Sequence, residues 1–492
     1  MPKINPIQEN TNLIKKARSA SYWLFGSSVA IQLISWAITV FVARILSPDD
    51  YGLFGMAALL TSFLVMFNEL GLGPAVIQKK DLTKEQLSSC FWIIMAINIF
   101  LYFIAFISAP LVASFFHEPR LIPIIRVAAM NIILGGCYKL PYSLLTKELM
   151  FNKRSVADFI SRFLGSIFTL FLATLGYGVW SLVYGLLISD FTKLIIVFIF
   201  VKWFPKRTFS FNSIQSMIYF GYNITAGKVL WYFYSNSDYL IAAKFLGKTL
   251  LGYYSLAFQL ASLPIEKIIS LIGQIIFPFF SKIQDEEEIL RNYFLKAVRF
   301  TAFIVFPIFI GMFLVADSAI ILILSEKWEL TILPFKILCF IGTLRAINSF
   351  NSQLTYATGK PTVYFSNMVI FSLVMPIGFF IGSKYGLKGL SYVWLFLYPL
   401  VFLIVTKRSI SIINLKFLEY CKNLIPPTIA TLFMGILVSM SKIMLLNYPN
   451  TFSQLIFHCS IGIISYFAFI YFFLKKDLLE MTYFILKEKR HN

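Results

Sequence analysis

Acidic residues are scarce in this chain of 492 residues, and charged residues of either sign are few. Aspartate and glutamate together number 23 against 43 lysines and arginines, and the four charged residue types make up only 13% of the sequence. Soluble domains carry about a quarter of their residues as charges. Because hydrophobic residues reach 58% and the mean hydropathy is +0.77, the composition predicts a membrane protein and excludes a soluble globular one.

Metal-binding and catalytic signatures are missing as well. The three histidines show no ligand spacing, and the five cysteines form no Cys-x-x-Cys pair. We therefore expect no metal site, and we interpret the cysteines as small apolar packing residues. The sequence contains no nucleotide-binding loop, no His-Glu-x-x-His and no Gly-x-Ser-x-Gly, each of which would indicate an enzyme class. We expect a protein that is not an enzyme and that needs no cofactor.

The chain does contain apolar runs of about twenty residues, which recur from residue 19 to residue 474. A transmembrane helix needs about that length, whereas the strands of a membrane barrel are about half as long and alternate in polarity. Short connections with turn residues separate the runs, such as Ser47-Pro48-Asp49-Asp50. The pattern predicts an all-α membrane protein with about fourteen transmembrane helices.

The distribution of basic residues predicts the orientation. Most lysines and arginines fall in connections that share one side when the N-terminus is placed in the cytoplasm, as the positive-inside rule requires. They are spread over many connections rather than gathered in one domain, so we expect no nucleic-acid partner. The first apolar run, 22–46, lacks a convincing cleavage site and is interpreted as a first helix. We predict an even number of crossings with both termini in the cytoplasm.

A faint internal repeat predicts the domain organisation. Residues 43–46 with Gly52 recur 200 residues later as 243–246 with Gly252, and Tyr177-Gly178 recurs at 385–386. Copies separated by an even number of helices share an orientation and enclose a central cleft; chance similarity is the alternative. We predict two pseudo-symmetric six-helix lobes plus two C-terminal helices. The segments are a cytoplasmic N-terminal segment (1–18), an N-lobe (19–202), a cytoplasmic linker (203–212), a C-lobe (213–406), helices 13 and 14 (424–474) and a cytoplasmic tail (475–492).

Basic side chains in the middle of predicted spans are the main functional signal. A charge at mid-span is costly, so it normally faces the bundle interior or a watery cavity. The candidate substrate-binding residues are Lys139, Lys228, Trp231, Asp238, Lys267, Arg345 and Asn348. Lys139 continues a polar stripe with Asn131 and Gly135, and Arg345 continues one with Asn348. The basic residues would bind an anion, and Trp231 would stack on a sugar ring.

Simpler structural roles also fit several of these residues. Lys139 could extend from the cytoplasmic end of its helix to the interface. The stripe that contains Lys228 could make polar contacts between helices, and an acid on a neighbouring helix could neutralise Lys267. Arg345 has no acid within one helical turn, so it is the strongest single candidate.

Acids within predicted spans are candidates for ion coupling, and they are Glu69, Asp158 and Glu266. Asp158 can pair with Arg162 at i, i+4, and Asp190 with Lys193 at i, i+3, within their own helices. Those pairs are expected to be mainly structural. Glu69 precedes glycines that would loosen helix 2, where close helix packing is the alternative to a hinge or an ion-sensing acid.

Four turn segments resemble a known family. They are 43–56, which contains Ser-Pro-Asp-Asp-Tyr-Gly at 47–52, together with 69–78, 82–87 and 177–183. These segments resemble the bacterial O-antigen, colanic acid and teichuronic acid exporters of the multidrug/oligosaccharidyl-lipid/polysaccharide flippase superfamily. The resemblance implies a flippase of the bacterial inner membrane that moves an undecaprenyl-diphosphate-linked oligosaccharide by alternating access. It also implies coupling to H⁺ or Na⁺ and cooperation with polysaccharide polymerase machinery, and it identifies no substrate-binding residue.

The resulting hypothesis places the basic side chains around a cleft between the lobes. They would hold the diphosphate by charge-assisted hydrogen bonds while the lipid chain stays among the membrane lipids. A cation-coupled drug antiporter of the same superfamily is the alternative, although it would want unpaired acids in its cavity. A membrane glycan polymerase is less consistent with the short predicted outer loops, and a scaffold would leave the mid-span cations without a role.

Overall fold

The computed structural model describes residues 38–79, 82–148, 150–445 and 451–475. Within these ranges, the side chains of residues 78, 216, 220–231, 266, 267, 270, 271, 274 and 275 are not described. The described residues form helices joined by short turns and contain no strand. An all-α fold, predicted from the length of the apolar runs, is therefore confirmed.

Residues 38–45 are helical, and sixteen further α-helices follow in the described part of the chain. They are α1 (Pro48–Val65), α2 (Leu72–Gln78), α3 (Lys84–Phe116), α4 (Leu121–Ala128), α5 (Met130–Lys147), α6 (Phe151–Thr174), α7 (Val179–Val201), α8 (Gln215–Phe245), α9 (Gly247–Pro264), α10 (Ser270–Lys282), α11 (Glu287–Ala319), α12 (Ile332–Ala357), α13 (Pro361–Ser383), α14 (Gly386–Ile410), α15 (Phe417–Met444) and α16 (Phe452–Phe473). A π-helical segment, Ile265–Ile269, joins α9 to α10, and another, Ile320–Leu324, follows α11.

Ten helical segments in the described ranges are long and apolar enough to cross a membrane. The chain is therefore a multi-pass membrane protein. The predicted number of fourteen is not confirmed, because four predicted spans have no counterpart among these ten. One of them (19–45) falls largely before residue 38, and the other three correspond to α1 with α2, to α8, and to α9 with α10.

Two of the turn segments begin helices as capping boxes. The hydroxyl of Ser47 accepts from the backbone N–H of Asp50 at 3.3 Å, and the Asp50 carboxylate accepts from the N–H of Ser47 at 2.9 Å. Thr83 and Gln86 make the same reciprocal pair before α3, at 3.1 and 3.2 Å. Each pair satisfies two backbone donors that a helix start leaves open. Two of the four segments that resemble a transporter family are thus explained locally as helix starts.

The chain divides into two compact units, Met1–Gly252 and Tyr253–Asn492. The core of the first unit includes Leu72, Ile94 and Leu140, from α2, α3 and α5. In the second unit, α11, α15 and α16 pack through a cluster that contains Phe303 and Tyr466, whose hydroxyl donates to the backbone oxygen of Phe303 at 2.6 Å. The lobe boundaries inferred from the repeat describe a duplication, which contact density does not test, and they stay a prediction.

The two copies of the repeated turn contact one another within the first unit. A Cβ on Gly52 would overlap the backbone oxygen of Lys248, and a Cβ on Gly252 would overlap the backbone oxygen of Pro48. Lys248 follows Pro48 by the same 200 residues that separate the two glycines. The contact is therefore reciprocal, and both positions require glycine because backbone lies where a side chain would begin.

Candidate substrate and ion sites

Arg345 lies on α12 between aromatic rings of the second unit. Its guanidinium carbon is 4.8 Å from the ring centroid of Phe258 and 5.3 Å from that of Trp394. The Nη1 atom is buried and has no hydrogen-bond partner, and no described carboxylate forms an ion pair with this side chain. Aromatic faces stabilise a cation without neutralising it. No acid lies within one turn of Arg345 on α12, and the structure describes no carboxylate of the second unit that pairs with it. Its role in substrate binding stays a prediction.

Hydrogen bonds fix the groups around this cation. The indole nitrogen of Trp394 donates to the hydroxyl of Tyr254 at 2.8 Å. Asn348, one turn from Arg345, accepts from the side-chain nitrogen of Asn351 at 2.9 Å, and the same nitrogen donates to the Thr406 hydroxyl of α14 at 3.0 Å. Asn348 thus orients Asn351, which makes the contact between α12 and α14. Hydrogen bonds thus hold side chains next to the guanidinium in place, and its Nη1 donor has no hydrogen-bond partner. This arrangement favours binding of an anion.

A long apolar groove lies on another face of α12. It has a volume of about 740 Å³, and α11, α12, α14 and α15 enclose it. None of its described lining residues is charged, and Phe306, Ile347 and Gly435 are among them. Along α15 the lining runs from Phe417 to Ile443, a rise of roughly 39 Å. We call this feature the apolar groove; it was not predicted.

In the first unit, the acid of α6 pairs with a lysine of α7. Lys193 on α7 forms an ion pair of 2.6 Å with Asp158 on α6, whose other oxygen accepts from the Tyr142 hydroxyl at 2.6 Å. Asp190 accepts from the Tyr138 hydroxyl at 3.1 Å. Pairing of Asp158 with Arg162, which the spacing allowed, is therefore wrong. Lys193 makes its ion pair with Asp158, although it is also close enough to attract Asp190 electrostatically.

The close approach of the two helices explains that difference. A Cβ on Gly165 of α6 would lie 2.8 Å from the backbone oxygen of Gly185 on α7. Helices that approach this closely bring side chains of one helix to the backbone of the other. Lys193 therefore reaches Asp158 more easily than it reaches along its own helix, while Arg162 is exposed.

Lys139 lies on α5, eight residues before the end of the helix at Lys147, or roughly 12 Å along its axis. Its ammonium forms no hydrogen bond or ion pair with a described residue, but Asp190 on α7 is close enough to attract it electrostatically. The other members of its stripe are packing positions. Asn131 and Gly135 share its helix, and a Cβ on Gly135 would lie 2.7 Å from the buried amide of Asn68.

Glu69 lies in the break between α1 and α2. Leu70 and Gly71 have positive φ angles of 41° and 70° there, so the helix is interrupted where the sequence predicted loosening. A Glu69 carboxylate oxygen and the Ser143 hydroxyl occupy the space above Gly73. Close packing around a glycine is thus part of the explanation of this segment, and ion coupling by Glu69 stays a prediction.

Asp238 lies on α8 and is 1% exposed, with the backbone N–H of Tyr239 donating to its Oδ1 at 2.9 Å. The side chains of Lys228, Trp231, Glu266 and Lys267 lie outside the described residues. Glu266 and Lys267 belong to the π-helical segment Ile265–Ile269, a backbone form that is frequent at functional sites.

An ion-pair cluster next to the repeated turn was not predicted. Glu118, in the turn between α3 and α4, pairs with Arg120 at 2.8 Å and with Lys248 at 2.7 Å. The hydrogen bond from Arg120, with that from Lys248, lowers the pKa of Glu118 to about 2. Asp50 lies beside Gly178 at the same turn cluster, so two of the segments that resemble a family meet here. The repeated motif marked this region, but nothing in it indicated Glu118.

The predicted substrate residues are thus divided between the units. Lys139 and Asp238 belong to the first unit, and Arg345 and Asn348 are one turn apart in the second. A cavity shared by all of them stays a prediction.

These observations define a class: a multi-pass helical membrane protein in which a described span carries an arginine, Arg345, that no described acid pairs with. Comparison with known families then identifies it. A family described as "Polysaccharide biosynthesis protein" matches residues 41–333, which is more than half of the chain, so the chain belongs to that family. The predicted family resemblance is confirmed.

Individual proteins agree with this assignment. The chain is 24% identical over 431 residues to the teichuronic acid biosynthesis protein TuaB of Bacillus subtilis, covering 87% of this chain and 89% of the relative. It is 26% identical over 287 residues to the succinoglycan biosynthesis transport protein ExoT of Rhizobium meliloti, covering 58% of each. A structure of the lipid II flippase MurJ in an inward closed conformation is similar with a TM-score of 0.76, at 15% identity over 92% of this chain and 99% of that one. The similarity to MurJ shows that the fold is shared.

Proposed function

We propose that this chain is a flippase that translocates lipid-linked oligosaccharide units across a bacterial inner membrane for surface polysaccharide assembly. The family supports a role in polysaccharide biosynthesis. Two relatives are named for teichuronic acid biosynthesis and succinoglycan transport, and a protein with the same fold is named a lipid II flippase. These observations favour a transporter over an enzyme.

The single observation that carries the substrate assignment is the environment of Arg345. A guanidinium inside a membrane-spanning helix is suited to a diphosphate, because its planar fork matches phosphate oxygens. The Nη1 donor of Arg345 is buried without a hydrogen-bond partner, and no described acid pairs with this side chain. We assign undecaprenyl diphosphate as the carrier on this chemistry and on the family resemblance.

The transport cycle is part of the same proposal. We place both termini in the cytoplasm, on the distribution of basic residues, and we infer alternating access of two lobes, 19–202 and 213–406. Lys139, Lys228 and Lys267 would add positive charge to the cleft. Glu69, Asp158 and Glu266 remain the candidates for coupling to H⁺ or Na⁺, and a polysaccharide polymerase would use the translocated units.

Deletion of the gene in the organism of origin tests the function. Loss of a flippase should trap complete lipid-linked units on the cytoplasmic leaflet and remove the surface polysaccharide. Loss of a polymerase should instead leave single units on the outer leaflet, and loss of a drug antiporter should leave the glycans unchanged. Either of the last two results would overturn the proposal.

Complementation of that strain with Arg345 variants tests the site. A hydrogen bond to a charged group contributes about 1.5–3 kcal/mol, so Arg345→Ala should weaken substrate binding roughly 10- to 100-fold and strongly reduce export. Arg345→Lys should recover part of the export, because it keeps the charge and loses the fork. The matched control is Arg408→Ala, which removes an exposed arginine that donates to Ser366. Normal export by Arg345→Ala at normal protein levels would exclude this site.

A further inference from the structure

The apolar groove ends at a cluster of charged residues, which we call the lysine clasp. Asp317 of α11 accepts an ion pair from Lys336 of α12 at 2.7 Å and one from Lys442 of α15 at 3.5 Å. Both lysines also contact residues that line the groove. The Lys336 ammonium is 5.9 Å from the ring centroid of Phe313, and that of Lys442 donates to the backbone oxygen of Leu314 at 2.8 Å. The clasp therefore closes one end of the groove.

Helical spacing shows that the clasp continues the groove. Asp317 follows the lining residue Phe313 by four positions, and Lys336 precedes the lining residue Phe340 by four. Residues four apart lie on one helix face. At this end of the groove, charged residues of α11, α12 and α15 thus take the place of the apolar lining residues.

A basic residue also lies at the opposite end. Lys407, four residues after the lining residue Leu403, has its ammonium 5.2 Å from the ring centroid of Phe417. From Phe417 to Lys442 the axis of α15 rises roughly 38 Å, whereas a hydrocarbon core is about 30 Å thick. The apolar groove is therefore about as long as a bilayer is thick, and a basic side chain lies at each of its ends.

The charge within the clasp is unbalanced. Two ammonium groups share one carboxylate, which leaves one net positive charge, and the side chains of Lys336, Lys442 and Asp317 are 27%, 30% and 42% exposed. A ligand can therefore reach them. An anion with an apolar chain would satisfy the clasp and the groove together, since an unmatched charge near a low-dielectric region attracts a counter-charge.

Arg345 is not in a position to serve that groove. It follows Lys336 by nine residues, so the two side chains project about 180° apart around α12. The head group of a lipid whose chain occupies the groove therefore meets the clasp or Lys407, and it does not meet the guanidinium.

We propose that the lysine clasp is a phosphate-binding site for a polyprenyl phosphate whose chain lies in the apolar groove. The choice of a polyprenyl chain rests on the proposed function; the phosphate site itself rests on the clasp. The site would hold a lipid phosphate at the end of the groove, separately from the diphosphate site at Arg345.

Binding of undecaprenyl phosphate to the purified full-length protein in nanodiscs of uncharged lipid tests the proposal. The Lys336→Met/Lys442→Met double variant should bind it at least about 10-fold more weakly than the wild type. Asp317→Asn should bind it more tightly, because the carboxylate that competes with phosphate is removed. A purely structural clasp would instead lose affinity or stability in Asp317→Asn. The matched control is Lys384→Met, which removes a lysine whose ammonium lies over the Phe380 ring, outside the groove.

Further probes separate the head group from the chain. Undecaprenol should bind the wild type and the double variant with equal affinity, and it should bind the wild type more weakly than undecaprenyl phosphate does. Gly435→Phe should block binding of both probes, because its side chain would fill the groove beside Leu314. Equal affinity of the wild type for undecaprenol and its phosphate would overturn the site. Equal competition by inorganic phosphate or by phosphatidylglycerol would overturn the polyprenyl assignment. These results are independent of the deletion experiment, which measures export.

Discussion

The ion pair between Asp158 and Lys193 offers a sharp test of how α6 and α7 are held together. Lys193 and Asp158 are 18% and 25% exposed and are joined by a contact of 2.6 Å. Removing one partner of a fully buried pair costs about 3–5 kcal/mol, whereas an exposed pair is worth about 0–1 kcal/mol. Lys193→Met leaves Asp158 with the hydrogen bond from Tyr142, so we expect a loss of about 2–3 kcal/mol, below the buried range.

Thermal unfolding of the purified protein measures this loss. For soluble units of comparable size, 1 kcal/mol corresponds to about 2–4 °C, so the midpoint should fall by roughly 4–12 °C. The control is Arg162→Met on α6, which removes the same charge from an exposed residue and should change stability by less than about 0.5 kcal/mol. Asp158→Asn should destabilise as well, and the double variant should be much less than additive.

The opposite pattern would refute the reasoning. If Arg162→Met destabilised the protein as much as Lys193→Met, the pairing within α6 that spacing predicts would describe the molecule better. Additive effects of Asp158→Asn and Lys193→Met would show that the two side chains do not interact.

Two other predictions concern the turn cluster of the first unit. Gly52→Ala should cost about 1–3 kcal/mol of stability because its Cβ would overlap the backbone of Lys248. Gly55→Ala is the control: its Cβ would meet only the Leu251 side chain, whose nearest atom is 3.5 Å away, so this variant should be neutral or slightly stabilising. Equal melting temperatures of the two variants would contradict the close contact. The pKa of Glu118 lies at about 2 against an ordinary 4.5, so its pairs stabilise the fold fully above pH 4.5 and progressively less as the pH falls to 2. Wild type should therefore lose more thermal stability over that range than Glu118→Gln, and parallel curves would exclude the effect.

The sequence predicts well whatever depends on one helix or one turn. The capped turn at Ser47 and Asp50 follows from local residue types. The repeat drew attention to Gly52 and Gly252 because both copies of a packed turn need the same small residue. In each case the physical cause lies in residues of the same short segment of the sequence.

Features that depend on which helices become neighbours could not be predicted in this way. Spacing favoured Arg162 as the partner of Asp158, because it reports side chains on one helix and nothing of the helix beside it. The apolar groove was missed for a related reason. α11 and α15 are hydrophobic around most of their circumference, so periodicity does not show which face borders a cavity and which borders lipid.

The two faces of α12 connect these observations. Arg345 and Asn348 give one face hydrogen-bonding and charged groups, while Ile347 and Lys336 belong to the groove and its clasp on the other. A lipid-linked glycan joins a polar part and an apolar part by a single diphosphate, which cannot contact opposite sides of a helix at mid-height. The two proposed sites therefore require either different molecules or one molecule bound at successive stages, in which case the ligand would pass from one face to the other around an end of α12.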